Sequence, residues 1–182
     1  MAMPASKRYT AEMVRGLPED GNRYETVHGE LLVTPAPRAL HQLALKRIFL
    51  GLGNYLEIHR IGELFSSPAD ISWDEDILVQ PDLFVVALGE ARTLDWARMK
   101  TLLLAVEILS PSSLRADRLV KRRLYQEQHI PLYWVVDCDA RTVEVWTPEA
   151  SSAIVAPERL TWLPAGAAAP CVIELSELFA PL

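Results

Sequence analysis

The chain has only two cysteines, Cys138 and Cys171, among 182 residues. They form no metal-ligand spacing with each other or with a nearby histidine pair, which argues against a thiolate metal centre. A reducing compartment suits two isolated thiols, with a single disulfide as the alternative. Long apolar runs are also missing. The longest, around Thr101–Leu109, is broken by Glu107 and is too short to cross a bilayer. Met1–Lys7 lacks the apolar core of a signal peptide. The expectation is a cytoplasmic protein without membrane association. Positive charge is in deficit, with 18 Lys and Arg against 24 Asp and Glu and a net charge of −6. That argues against a protein that coats nucleic acid by neutralising phosphates, but permits an enzyme with one local basic face. There is no internal repeat, low-complexity tract or linker. Half of the residues are hydrophobic, so a single globular domain over 1–182 is expected. Residues 1–23 form its N-terminal helix and lead-in, and 148–182 its C-terminal extension.

Periodicity places the elements. Tyr9–Leu17 reads as a short helix ended by Gly16 and Pro18. Tyr24–Thr34 reads as a hairpin, with Val27, Leu31 and Val33 alternating and His28-Gly29 at the turn. Ala39–Glu57 carries an apolar stripe at helical spacing, weakened by Gly51 and Gly53. Short strands are expected at Gly62–Ser66, Ala69–Trp73 and Leu83–Leu88. Thr101–Ser110 reads as a strand covered on both faces. Leu114–Gln128 reads as a helix with Leu119, Val120 and Leu124 inward. Strands follow at Leu132–Val136 and Thr142–Trp146, with one or two more after Ser151. The sum is an α/β fold with one central mixed sheet flanked by helices.

Two carboxylates stand out. Asp82 follows Pro81, whose fixed φ gives a stiff entry to the next strand; the plain alternative is a turn aspartate bonding its own backbone. Glu107 sits inside an apolar strand, where an ionised carboxylate must be paired, protonated or bound to metal. Asp117, Lys121 and Tyr125 share one helical stripe at i, i+4, i+8; the plain alternative is a surface ion pair. Arg115, Arg118, Arg122 and Arg123 in the same helix read as a solvated face or as a phosphate contact. Two carboxylates and the Ile108 carbonyl would suit Mg²⁺ or Mn²⁺, with a lysine to orient water. A glycosidase using the same two acids is disfavoured, because no aromatic cluster for sugar stacking lies near them.

Together these pieces resemble the PD-(D/E)XK nuclease superfamily and, more narrowly, its Uma family of restriction endonuclease-like proteins. The resemblance runs from about Tyr24 to Thr147. It rests on Glu25…His28-Gly29-Glu30, His41, Gln80-Pro81-Asp82, Val106-Glu107-Ile108-Leu109-Ser110-Pro111-Ser112-Ser113, Asp117, Lys121, Tyr125 and Tyr133-Trp134-Val135-Val136-Asp137. It implies a restriction endonuclease-like core and a Mg²⁺-dependent (or Mn²⁺-dependent) DNA endonuclease. Asp82, Glu107 and Lys121 would be catalytic, and Asp82, Glu107 and Ile108 would hold the metal. Leu109 stands where the motif has its lysine, so the resemblance implies a lysine moved to Lys121. Glu30, His41, Gln80, Asp117 and Tyr125 are implied accessory residues. The alternative is a binding or scaffold protein that keeps the nuclease fold and has lost catalysis. Cutting both strands of a duplex is simplest with two copies, so a homodimer is expected, with Trp162, Leu163, Val172 and Ile173 as interface surface. The same reading expects Lys121→Ala to remove cleavage while leaving the fold nearly intact.

Overall fold

The computed structural model describes residues 7–182; Met1–Ser6 of the expected lead-in lie outside them. Helix α1 spans Ala11–Arg15, capped by the Thr10 hydroxyl accepting from the Met13 N–H. Strands β1 (Arg23–Val27) and β2 (Glu30–Thr34) form a hairpin. His28 and Gly29 both have positive φ, as a tight two-residue hairpin turn requires. Helix α2 (Ala39–His59) is the long one, with Ala44, Ile48, Leu52 and Leu56 buried.

A six-stranded sheet follows in the order β3-β4-β5-β6-β7-β8. Its strands are β3 (Gly62–Ser66), β4 (Leu83–Ala87), β5 (Leu102–Ile108), β6 (Tyr133–Asp137), β7 (Thr142–Trp146) and β8 (Ile154–Val155). Only β5 and β6 are parallel; a parallel pair needs a long crossover. That crossover contains a π-helical turn, Ala116–Lys121, running directly into α4 (Arg122–Glu127). The short helix α3 is Leu88–Ala91. Strands β9 (Arg159–Trp162) and β10 (Cys171–Glu174) form a second hairpin, followed by α5 (Leu175–Leu178).

The sheet is covered on both faces. On one, α2 and the C-terminal segment pack on Leu83, Val85, Leu104, Val106, Trp134 and Val136. On the other, the β1–β2 hairpin and α4 pack on Phe84, Val86, Ala105, Tyr133 and Val135. Strand alternation therefore turns Glu107, two residues beyond Ala105, toward the hairpin and α4.

Several expectations are corrected. Ala69–Trp73 is not a strand; it makes one isolated bridge, Ile71 to Val79. Leu119 does not point inward but is 48% exposed, because the inner face belongs to Asp117, Lys121 and Tyr125. The tail has three strands rather than one or two. Trp162 and Ile173 are buried in the main core, so only Leu163 and Val172 remain exposed as interface candidates. Both cysteines are free and buried, and burial pushes each thiol up to about 11. Gly51 is needed where α2 meets β10, since a Cβ there would lie 3.2 Å from the Ile173 side chain.

Gly62 is tighter still. A Cβ added there would meet Val85 Cγ1 at 2.7 Å and the Val86 carbonyl at 2.8 Å. Backbone cannot yield as a flexible side chain does. Gly62→Ala is expected to cost about 1–3 kcal/mol by overpacking, read as a lower midpoint in urea unfolding. An unchanged midpoint would refute the close approach of β3 to β4.

Candidate active site

Asp82 and Glu107 come together because β4 and β5 are antiparallel neighbours. The register pairs Leu83 with Val106, so the next step along sets Asp82 opposite Glu107. Both are buried, and both line a cavity of about 10 Å³ with Arg23, Ile108, Asp117 and Lys121. That volume holds about one water.

Lys121 is the centre of the cluster. Its Nζ lies 2.8 Å from Glu25 Oε2, 3.0 Å from Glu107 Oε1 and 3.4 Å from Asp117 Oδ1. The hairpin, the sheet and the crossover helix each supply one of these acids. Tyr125 donates its hydroxyl to Glu107 Oε1 at 2.9 Å, so Glu107 takes both bonds on one oxygen and leaves Oε2 for the cavity. Burial alone would push the Lys121 ammonium toward deprotonation; the three carboxylates reverse this and hold it charged. Burial also drives the Glu107 carboxyl well above the usual range, with Asp117, Asp82 and Glu25 adding to the rise and Lys121 opposing it. The Asp117 carboxyl is raised to about 6, mainly by burial, again against Lys121.

Asp82 is held separately. Arg23 Nη2 donates to its Oδ1 at 2.7 Å, and the Ile108 N–H to its Oδ2 at 2.8 Å. The N–H and C=O of a strand residue face the same side, so the Ile108 carbonyl also faces the Asp82 side. His41 Nε2 stands 3.5 Å from Asp82 Oδ2, while the buried Nδ1 has no partner. Burial pushes His41 down, which keeps its ring neutral at neutral pH.

The expected residues thus divide. Asp82, Glu107, Ile108, Lys121, Asp117, Tyr125 and His41 meet in one place. Gln80 is adjacent through its backbone: its N–H donates to Glu25 Oε1 at 2.7 Å, while its side chain turns away to Asp70. Glu30 does not reach the cluster; it is exposed and paired with Arg115 at 2.6 Å. The hairpin acid at the site is Glu25, and the cation on Asp82 is Arg23, neither of which was singled out for a role. Alternation carries the missed signal, since Arg23, Glu25 and the buried Val27 share one face of β1. The arginine face is largely spent within the fold. Arg118 bonds Asp137 and Glu144, and Arg122 lies over the Trp146 ring at 4.7 Å.

The family model Uma2, described as "Putative restriction endonuclease", matches residues 11–175. The chain belongs to the Uma2 family. A solved structure from Anabaena variabilis ATCC 29413, described as a "putative nuclease belonging to DUF820", resembles this Uma2 chain with a TM-score of 0.76. The two are 21% identical, over 94% of this chain and 98% of the other. At that identity the likeness establishes a shared nuclease-type fold. No curated protein matches the chain. No helix of the described residues is long and apolar enough to cross a membrane.

The Uma2 cluster is out of charge balance. Glu25, Asp82, Glu107 and Asp117 stand against Arg23 and Lys121, an excess of two negative charges if all ionise. Two protons or one divalent cation would close it. Among the described residues no three His, Cys, Asp or Glu are arranged as a metal cage, and Arg23 and Lys121 engage the acids. The oxygen donors left to the cavity still suit a hard ion that keeps several waters.

Asp117 gives a pH test. Its folded value of about 6 exceeds the ordinary aspartate value of 3.8, so the folded state holds a proton that the unfolded state releases. This contribution is full below the unfolded value and is lost as pH rises through about 6. Asp117→Asn, neutral throughout, is expected to gain in melting temperature relative to the parent between pH 5 and pH 7.5. A difference that stays constant over that range would refute the shift.

Proposed function

We propose that this chain is, as one domain over 1–182, a Mg²⁺- or Mn²⁺-dependent endonuclease that hydrolyses phosphodiester bonds in DNA. The observation that carries the reading is the meeting of Asp82, Glu107 and Lys121 around one cavity, from three separate elements. Family membership supports the nuclease class. Asp82, Glu107 and the Ile108 carbonyl would hold the ion, and the charge excess of two fits a divalent one. A bound ion would polarise the scissile phosphate and lower the pKa of the attacking water.

The chain's own groups do the rest. Tyr125 and Lys121 fix Glu107 through Oε1 and keep Oε2 toward the cavity. An ammonium has three N–H donors, and Lys121 spends them on three acids. The contact to Asp117, at 3.4 Å, is the longest. That donor is the one Lys121 can turn to an attacking water or to charge building on the phosphate. The neutral His41 ring bounds the cavity beside Asp82 without adding a competing positive charge.

The burial of Lys121 changes its test. Removing a buried partner strands the other charges at about 3–5 kcal/mol, so Lys121→Ala is expected to destabilise the fold rather than spare it. Charge-retaining and isosteric variants are better probes. Asp82→Asn, Glu107→Gln and Lys121→Arg are each expected to lower Mn²⁺-dependent cleavage of plasmid or oligonucleotide DNA by about 100-fold or more. Cleavage by Lys121→Arg at the parent's rate would remove the lysine from the mechanism. Wild-type rates in all three variants would remove the site.

One observation favours the scaffold reading: Arg23 and Lys121 satisfy both acids without any metal. Calorimetry decides. A parent that neither takes up Mn²⁺ nor cuts DNA is a binding protein on a nuclease fold. For duplex cutting we infer a homodimer, one chain per strand, which light scattering would show as twice the chain mass.

A further inference from the structure

A groove of about 530 Å³ opens beside the acid cavity. Arg23, Thr34, His41 and Asp82 line both spaces, so the groove leads to the acids. Its other walls include Ser66 and Gln80. Among the described residues, Arg23 is the one lysine or arginine that lines it.

Arg23 is built for more than its ion pair. It is the first residue of β1, paired in register with Thr34 across the hairpin, so its backbone is fixed. Nη1 donates to the Gln80 carbonyl at 2.8 Å and Nη2 to Asp82 Oδ1 at 2.7 Å. A guanidinium has five N–H donors, so three remain. The side chain is 16% exposed and lines both the groove and the acid cavity. The two protein bonds lock the plane of the fork, so a third ligand is met by preset donors with little further ordering cost.

Resting on the nuclease reading, we propose that Arg23 is the phosphate anchor of this site. Its free N–H donors bind one phosphodiester oxygen of a single nucleic-acid strand lying in the groove. The contact sets the neighbouring phosphate at the Asp82–Glu107 cavity. Arginine forks suit phosphate oxygens. A duplex-binding face neutralises several phosphates on two strands. Arg23 stands in the groove beside the carboxylates of Glu19 and Asp82, so the groove offers a strand one cationic contact for one phosphate. The contact uses donors outside the two protein bonds, so Asp82 keeps its partner.

The test is fluorescence anisotropy of a labelled single-stranded oligonucleotide in Ca²⁺, over a series of monovalent salt concentrations. The parent is expected to bind with a slope of log K against log salt near −0.7, the value of about one ion pair on a single strand. Arg23→Gln is expected to lose roughly tenfold or more in affinity and most of that slope. Arg23→Lys is expected to keep the slope and recover only part of the affinity. Arg23→Gln also uncovers the Asp82 charge, so Arg23→Gln/Asp82→Asn, which restores the parent's local charge, separates contact from field. Weak binding by the double variant supports the anchor. Binding equal to the parent's would assign the loss to the field of Asp82 and overturn it. Parent-like affinity and slope in Arg23→Gln would overturn the anchor and leave the nuclease reading standing. A parent that binds no single-stranded oligonucleotide would overturn the anchor, and Mn²⁺-dependent cleavage of duplex plasmid by that same parent would leave the nuclease reading standing. Thermal melts of each variant show whether it is folded.

Discussion

The architecture depends on one buried ammonium. Lys121 Nζ is surrounded by carboxylates from the hairpin, the central sheet and its own helix. Burying an ion costs several kcal/mol even after relaxation, and only close, well-made partners repay it. This constraint ties three layers to a single point. The hairpin must bring Glu25 over the sheet, and β5 must turn Glu107 to the same face. The crossover must present Asp117 and Lys121 together. A wide π turn over Ala116–Lys121 does the last of these, and such turns occur where a helix carries function. An apolar stripe would have packed more cheaply, so the polar stripe is a cost the fold carries at this one place.

The same balance bears on the proposed chemistry of the site. Four carboxylates around two cations keep an excess of negative charge in a low dielectric, where each uncompensated charge is felt strongly. Burial lifts Glu107 and Asp117 toward protonation, while Lys121 pulls both back. A divalent ion offers the other way to settle the excess. Arg23 lies where this negative interior meets the groove, bonded inward to Asp82 and open outward.

Much of the fold was legible in the sequence. The hairpin, α2, β3 to β7 and the crossover helix follow from period and turn chemistry. Glu107 was legible because a carboxylate inside an apolar strand demands an explanation, and Asp82 because a proline stiffens its approach. Glu25 carries part of the resemblance but no role in it, and Arg23 carries neither, although the pattern holds both. Val27 is buried, so residues two and four before it share its face, but in a short hairpin strand polar residues read as solvent-facing. Glu30 is implicated by its resemblance to the superfamily's N-terminal acid, and its pairing with Arg115 across the surface is invisible to periodicity. Ala69–Trp73 failed as a strand because its apolar residues serve burial against Val79 rather than a ladder. The apolar tail suggests an interface, and the burial of Trp162 and Ile173 in the core beneath α2 is a tertiary contact that periodicity does not carry.

The position of the cation is set by packing as much as by chemistry. A lysine two residues beyond Glu107 on β5 would point to the same face as Glu107. Leu109 stands there instead, buried among Val27, Leu32 and Tyr125 in the core beneath the hairpin. A charge at that position would replace an apolar side chain in this core. Supplying the ammonium from the crossover helix lets the strand end finish the core. The charge then enters from the opposite layer, where Glu25 and Asp117 are already in reach. The exchange has a structural consequence. A strand lysine depends on the sheet alone, whereas Lys121 is correctly placed only when hairpin, sheet and helix are all assembled. The cation of the site and the closure of the fold are therefore one event.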